Sequence, residues 1–350
     1  MAEEVLIRRD GQLGHIVLNR PKAINALTRG MVRMITSALE QWENDDGVAT
    51  VLLSGAGERG LCAGGDIVAI YQDSLAGGME TALFWADEYQ LNALIARYPK
   101  PYVALMDGIV LGGGVGLSAH GSNRVVTERT KVGMPETAIG LVPDVGGTYL
   151  LSRESGELGT HMALTAGSIT GSDAIALGLA DSFVNSSNIP ALVDALTRTD
   201  ASAAVRSFTQ NHFPSSSLFA DRDWINACYA FNTVEEIVEA LQSSSQPGAG
   251  RAAESIVTKS PTAVKVTLEA LRRARRLATL EEVLDQEYRV SLSCLEGGEF
   301  AEGIRAQVID KDRAPQWNPS RLTEVDANSV ESHFAGLGAR ELMLAANTVH

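Results

Sequence analysis

The stretch Pro101–Gly147, PYVALMDGIVLGGGVGLSAHGSNRVVTERTKVGMPETAIGLVPDVGG, leaves few choices for the fold around it. An apolar strand at Val103–Met106 leads into three glycines, Gly112–Gly114, followed by a helix of small residues and a strand at Arg124–Glu128. Two carboxylates come next, Glu136 behind Pro135 and Asp144 behind Pro143. Glycines at a strand end let backbone N–H groups approach a ligand closely, and proline stiffens the turns that carry the acids. The combination suits a site that handles negative charge developing on oxygen. Each part also has a plainer use. Glycine clusters make tight turns, Pro–Glu is a routine helix start that suits the macrodipole, and Pro-Asp-Val-Gly is an ordinary turn.

The rest of the chain reads as alternating strands and helices, an α/β pattern. Val5–Ile7 and His15–Asn19 flank Asp10-Gly11 and predict an opening β-hairpin. Thr28 is an N-cap candidate for a helix burying Met31, Ile35, Ala38, Leu39 and Trp42, with Gly47 as its stop. Ala49–Ser54 is a strand suited to burial on both faces, and it ends in a second glycine-rich turn, Gly55–Ile67. A long helix is expected over Thr81–Arg97, where Phe84, Leu91 and Ile95 form an apolar stripe. Glu88 falls on that stripe, and a buried charge costs stability unless it is paired or faces a site. Further helices are expected at Glu157–Thr165 and Ser172–Gly178. Ser243–Arg251 reads as a flexible joint, and Ser260-Pro261 as the start of a helix burying Val264, Leu268 and Leu271. That last helix also carries Arg272, Arg273, Arg275 and Arg276, either a solvated face or a polyphosphate-binding cluster.

Composition narrows the function. At 350 residues, the chain has room for one large domain or a core with an appendage. A net charge of −14 argues against general nucleic-acid binding, which needs a basic surface. Cys62, Cys228 and Cys294 are too few and too scattered for a disulfide framework or a metal site. The opening MAEEVLIRRDG has neither the positive n-region nor the apolar h-region of a signal peptide, and no apolar run approaches the ~20 residues of a membrane span, so the expectation is a cytoplasmic protein without membrane contact. Gly114, Gly116 and Ala119 match G-x-G-x-x-G/A, with Glu136 twenty residues beyond Gly116. However, the strand after the helix ends well before Glu136, and the motif lies far from the first strands, so a dinucleotide site is a poor fit. Gly65 and Gly113, each a few residues past an apolar strand, are instead candidates for two amides of an oxyanion hole, worth ~3 kcal/mol each to a transition state.

Five segments carry a specific resemblance: NRPKAINAL (19–27), LCAGGDI (61–67), GIVLGGGVGLS (108–118), MPETAIGLVPDVGG (134–147) and ALTAGSITGSDAIALGLAD (163–181). The chain resembles the crotonase (enoyl-CoA hydratase/isomerase) superfamily. Through GEFAEGIRAQVIDKDRAPQWNP (298–319), it is similar to the branch that hydrolyses short 3-hydroxyacyl-CoA thioesters, so the likeness covers about residues 5–320. The resemblance implies a spiral of repeated ββα units with a helical C-terminal region: a core over 1–200 with the active site, a helical region over 201–320 covering it, and a tail at 321–350. It implies an acyl-CoA substrate, no separate cofactor and no metal, and either a homo-oligomer (trimer or hexamer) or a monomer. Gly65 and Gly113 would be the oxyanion donors. Lys22, Ala23, Asn25, Ala63, Gly64 and Asp66 would line the CoA path, and the arginine-rich helix becomes a candidate for the CoA phosphates. Hydratases of the family use two glutamates, and the first would stand at Gly116, where glycine offers no acid. Glu136 matches the second. Asp144 and a substrate-side Glu88 belong to the hydrolysing branch, and valine breakdown is the setting that branch implies. An enoyl-CoA hydratase or isomerase is the first alternative, and a non-catalytic acyl-CoA-binding protein the second.

Overall fold

The computed structural model describes residues 3–153 and 156–347. Strands β1 (Val5–Asp10) and β2 (Leu13–Leu18) form the expected hairpin, turning at Gly11 with φ +58°. Then β3 (Thr50–Gly55), β4 (Gly60–Cys62), β5 (Tyr102–Met106), β6 (Ile109–Leu111), β7 (Asn123–Val126), β8 (Lys131–Gly133), β9 (Ser168–Thr170) and β10 (Ser182–Phe183) divide between two sheets. The larger has the order β1-β2-β3-β5-β7-β10 and the smaller β4-β6-β8-β9. From β3 to β8 the chain gives one strand to the large sheet and the next to the small one, three times over, and parallel pairing stacks the turns in sequence. That is the expected spiral.

Within the described residues, the chain forms two compact units, each assembled from separate stretches. One comprises Met1–Asp66, Asp87–Gly133 and Ile169–Ser217; the other comprises Ile67–Ala86, Met134–Ser168 and Leu218–His350. The first contains the large sheet, whose inner strands β3 and β5 are apolar and buried on both faces, as their unbroken hydrophobic runs require. Leu13, Leu52, Val103, Leu105 and Val125 from that sheet pack with Leu192, Leu196, Ala201 and Val205 from the helices Ile189–Leu196 and Ala201–Phe208. The second unit is mostly helical.

Local signals hold where a side chain satisfies the backbone. Thr28 Oγ1 accepts from Met31 N at 3.2 Å and opens the helix Arg29–Glu43, whose apolar face is buried as predicted. That helix ends at Glu43, before Gly47. Lys100 Nζ donates to the carbonyls of Trp42 and Asp45 and takes over the C-terminal acceptors, while Asp45 Oδ1 accepts from Gly47 N at 2.8 Å. The expected joint at Ser243–Arg251 is instead a helix start. Pro247 occupies the first turn of Pro247–Ile256, and Ala249, Ala252 and Ala253 are buried because small side chains allow close helix packing. Among the described residues, no helix is long and apolar enough to cross a membrane.

Candidate active site

In the first unit, the KAIN loop and the segment after β4 are sewn together by backbone hydrogen bonds. Ala63 N donates to Ile24 O (2.9 Å), Leu27 N to Gly64 O (2.8 Å) and Asp66 N to Leu27 O (2.9 Å). In this ladder, Leu27 uses both its N–H and its C=O on the residues flanking Gly65, so the Gly65 N–H points away from the pairing. Gly113 opens the short helix Gly113–Ser118, so its N–H belongs to the first turn, which has no intrahelical acceptor. A Cβ built on Gly113 would lie 2.5 Å from Glu88 Oε1, 3.0 Å from Leu27 Cδ1 and 3.6 Å from Gly65 N. Gly65, Gly113 and Glu88 are therefore neighbours, and glycine at 113 keeps the space between them open. Gly114 is glycine for a different reason: its Cβ would stand 2.7 Å from the Cys62 carbonyl oxygen. This is close packing of helix against strand, with no need for a dinucleotide.

Glu88 sits on the helix Glu80–Ala96, is only 2% exposed, and places its Oε1 beside Gly113. Arg29 pins the helix one residue earlier through Asp87, at 2.7 Å. One helical turn beyond Glu88, Asn92 is fully buried, and neither atom of its amide has a hydrogen-bond partner among the described residues. Sequence patterning did not single it out. Cys62, beside these groups, carries a thiol pushed up to about 12, chiefly by burial, and is no nucleophile at neutral pH.

The residues expected along the CoA path differ in what they offer. Lys22 and Ala23 are exposed, and Ala63 and Gly64 lie in the hydrogen-bonded ladder. Asn25 is fully buried. Its Nδ2 donates to the carbonyls of Ala56, Gly60 and Leu61, and its Oδ1 accepts from Arg20 N, so its side chain shapes the loop. Asp66 is bridged by Arg20 at 2.8 Å.

In the second unit, Glu136 opens a 3-10 turn, Glu136–Ile139, directly behind Pro135, and Asp144 opens the turn into the helix Gly147–Arg153. Both carboxylates are 5% exposed. The helix Glu299–Ile304 backs the first turn so closely that a Cβ on Gly303 would meet the Ile139 backbone at 2.4 Å. The Asp144 turn is unusual in that Val145 has φ +54°, a conformation that a β-branched residue rarely adopts. It is held by Glu287, on the helix Leu280–Gly297, which accepts from Gly146 N (2.6 Å), Thr148 N (2.8 Å) and Thr148 Oγ1 (2.6 Å). Burial pushes the Glu287 carboxyl up to about 8 against those donors, with the charge of Asp144 adding to the rise.

The arginine-rich helix has another occupation. Arg272 and Arg275 both clasp Glu157, at 2.8 and 2.9 Å, and Arg273 pairs with Glu269 and Glu331 beneath the Phe334 ring. Glu157 is held below its usual range by these partners and by Thr160, despite burial. Three of the four arginines are thus engaged by carboxylates of their own unit, in an ion-pair network that the sequence reading did not foresee.

A family model described as enoyl-CoA hydratase/isomerase matches residues 13–334. The chain belongs to that family. Among its relatives, the human protein named "3-hydroxyisobutyryl-CoA hydrolase, mitochondrial" is 42% identical over 97% of this chain and 91% of its own length. The Rattus norvegicus protein of the same name is 43% identical over 97% and 90%. Solved family structures superpose across nearly the whole chain. One, described as a carnitinyl-CoA dehydratase from Mycobacterium thermoresistibile, has a TM-score of 0.95 and 52% identity over 98% of this chain and 99% of that one. Another, described as an enoyl-CoA hydratase from Rhodobacter sphaeroides, has a TM-score of 0.92 and 40% identity over 97% and 99%. The crotonase-type spiral and its helical C-terminal region are therefore the family's fold.

Proposed function

We propose that this chain is a hydrolase of short 3-hydroxyacyl-CoA thioesters, with 3-hydroxyisobutyryl-CoA as its first substrate, releasing the free acid and CoA. The observation that carries the proposal is the distribution of acids. Position 116, where a hydratase of the family needs its first glutamate, is a glycine buried in the helix Gly113–Ser118, whereas Glu136 and Asp144 are both present and both nearly buried. Addition of water across an alkene requires an acid and a base on the substrate's reacting carbons. Thioester hydrolysis requires an activated water or a carboxylate nucleophile and a place for the oxyanion.

In this mechanism, the N–H groups of Gly65 and Gly113 stabilise the thioester oxygen as it becomes anionic. Glu136 takes a proton from the attacking water, or attacks the carbonyl itself to give an anhydride that water then opens. Asp144 orients the water and assists departure of the CoA thiolate, and Glu88 accepts a hydrogen bond from the substrate's 3-hydroxyl. Lys22, Ala23, Ala63, Gly64 and Asp66 line the CoA path, with Asn25 shaping the loop. Valine breakdown and a cytoplasmic setting belong to the same proposal, although the hydrolase relatives' names place those proteins in mitochondria.

Hydration or dehydration of an acyl-CoA is the second reading, favoured by the 52% identity to the structure described as a carnitinyl-CoA dehydratase. Free-thiol release from 3-hydroxyisobutyryl-CoA, measured beside hydration of crotonyl-CoA, separates the two. Thiol release without alkene hydration supports the hydrolase, and the reverse supports a hydratase. Saturable binding with no turnover of either would indicate a non-catalytic binder.

A further inference from the structure

The Asp144 turn contains a backbone conformation that its own residue disfavours, and a distant side chain helps to hold it in place. Val145 has φ +54°, where a β-branched side chain crowds its own backbone, and such strain persists only when the surroundings over-determine it. Gly146 and Thr148, just beyond it, both direct their N–H groups at the Glu287 carboxyl group, one to each oxygen, and the Thr148 hydroxyl adds a third donor. Val145 lies between Asp144 and this anchored pair, so the clamp fixes the direction in which Asp144 leaves the turn. The clamp itself stands on a rigid element. The helix Leu280–Gly297 opens with a Thr279–Glu282 capping box, and Gln286 Nε2 donates to Ala270 O at 3.2 Å. Its Asp285 accepts from Leu344 N and Ala345 N, and its Arg289 bridges Glu341 at 2.9 Å. A site group held by a locked second residue keeps its aim through turnover.

We propose that Glu287 is the positioning residue of Asp144: its carboxyl group gathers the Gly146 and Thr148 donors, keeps Val145 in the left-handed conformation, and so holds the Asp144 side chain where the hydrolytic step uses it. This rests on the reading of Asp144 as a reacting group. A carboxyl group suits the task better than an amide because both of its oxygens can accept, the hydroxyl oxygen of the protonated acid included. In Glu287→Gln, one of the two positions becomes an NH₂ facing an N–H donor.

The test uses the full chain and free-thiol release from 3-hydroxyisobutyryl-CoA, with kcat, KM and the thermal midpoint measured for D144N, E287Q, T148V and D144N/E287Q. The expected result is a kcat about 30-fold lower in E287Q and about threefold lower in T148V, with KM little changed and the double variant no slower than D144N, as for groups acting as a unit. Full kcat in E287Q and T148V with only a lowered midpoint would overturn the proposal, because the clamp would then be purely structural. Multiplying losses in the double variant would also overturn it. If E287Q does not fold, the kcat of T148V, which removes only the hydroxyl donor, decides. D144N turning over at the normal rate would remove the site reading itself and the proposal with it, a result distinct from an impaired D144N beside an unimpaired E287Q.

Discussion

A Cβ built on Gly113 would stand 2.5 Å from the Oε1 of Glu88, so the glycine and the carboxylate define the two sides of one small space. Gly113→Ala therefore displaces Glu88 and narrows the approach to the Gly65 and Gly113 amides while leaving the helix Gly113–Ser118 a better helix former. Its kcat/KM is expected to fall roughly 100-fold, the scale of losing one oxyanion donor, with little change in the thermal midpoint. Gly114→Ala faces the Cys62 carbonyl oxygen at 2.7 Å and is expected to cost about 1–3 kcal/mol of stability by overpacking. Denaturant melts and steady-state kinetics on the pair check that the first change acts on function and the second on folding.

Glu136→Gln keeps the shape of the turn after Pro135 and removes the base or nucleophile. Turnover is expected to fall by about 10²–10⁴, while the affinity for an unreactive acyl-CoA analogue, measured calorimetrically, stays near that of the parent. Near-normal thiol release would remove Glu136 from the mechanism. A single turnover in ¹⁸O-labelled water also tests for one form of the anhydride route. Label appearing first in Glu136 marks an anhydride that water opens at the Glu136 carbonyl, whereas label appearing first in the released acid fits either general base catalysis or an anhydride opened at the substrate's acyl carbon.

Arg272 and Arg275 grip the nearly buried Glu157, so Arg272→Met should act on stability and leave CoA recognition alone. Breaking a buried pair costs about 3–5 kcal/mol, and Arg275 remains as partner, so roughly 2–3 kcal/mol is expected. The KM for acyl-CoA should be unchanged. A rise in KM at unchanged stability would return this helix to the CoA phosphates.

Two half-buried histidines and one buried carboxyl give stability a signature in pH. Burial lowers His15 and His161 to about 4, so between pH 6.5 and 4 the unfolded chain takes up protons that the folded chain refuses, and stability falls as pH falls. Glu287 acts in the opposite sense. Its folded value of about 8 lies above its unfolded one, so its contribution is fully present below the unfolded value and is lost as pH rises toward 8. Chemical denaturation across pH 4–9 should show the histidine limb in the parent and in E287Q alike. The decline from these groups above pH 6.5 should be absent only in E287Q.

Glu88 was legible because helical periodicity is a local rule: a charge on the stripe of Phe84, Leu91 and Ile95 contradicts its surroundings and demands a reason. Glu287 obeys the same test, lying three or four residues from the buried Val283, Leu284, Val290 and Ser291, but its partners are 139 and 141 residues away. No spacing rule reaches that far. The ion pairs of the arginine helix were hidden for a similar reason, since Glu157 lies more than a hundred residues upstream of Arg272. The joint expected at Ser243–Arg251 misled because Gly, Ala and Ser signal loops by composition, whereas here small residues permit close packing of Pro247–Ile256. The hairpin, the strands β3, β5 and β7 and the glycine turns were legible because each depends on backbone preferences contained within a few residues, whereas the three-residue strands β4, β6, β8 and β9 are too short to carry a pattern and the spiral came from the family resemblance.

By either role of Glu136, water supplies the oxygen that replaces CoA on the acyl carbon. Multiple turnovers of 3-hydroxyisobutyryl-CoA in ¹⁸O-labelled water, followed by mass spectrometry of the products, test it most directly. Free CoA together with a free acid labelled in its carboxylate is the predicted result. Intact acyl-CoA labelled at the 3-hydroxyl, from reversible dehydration, would contradict it.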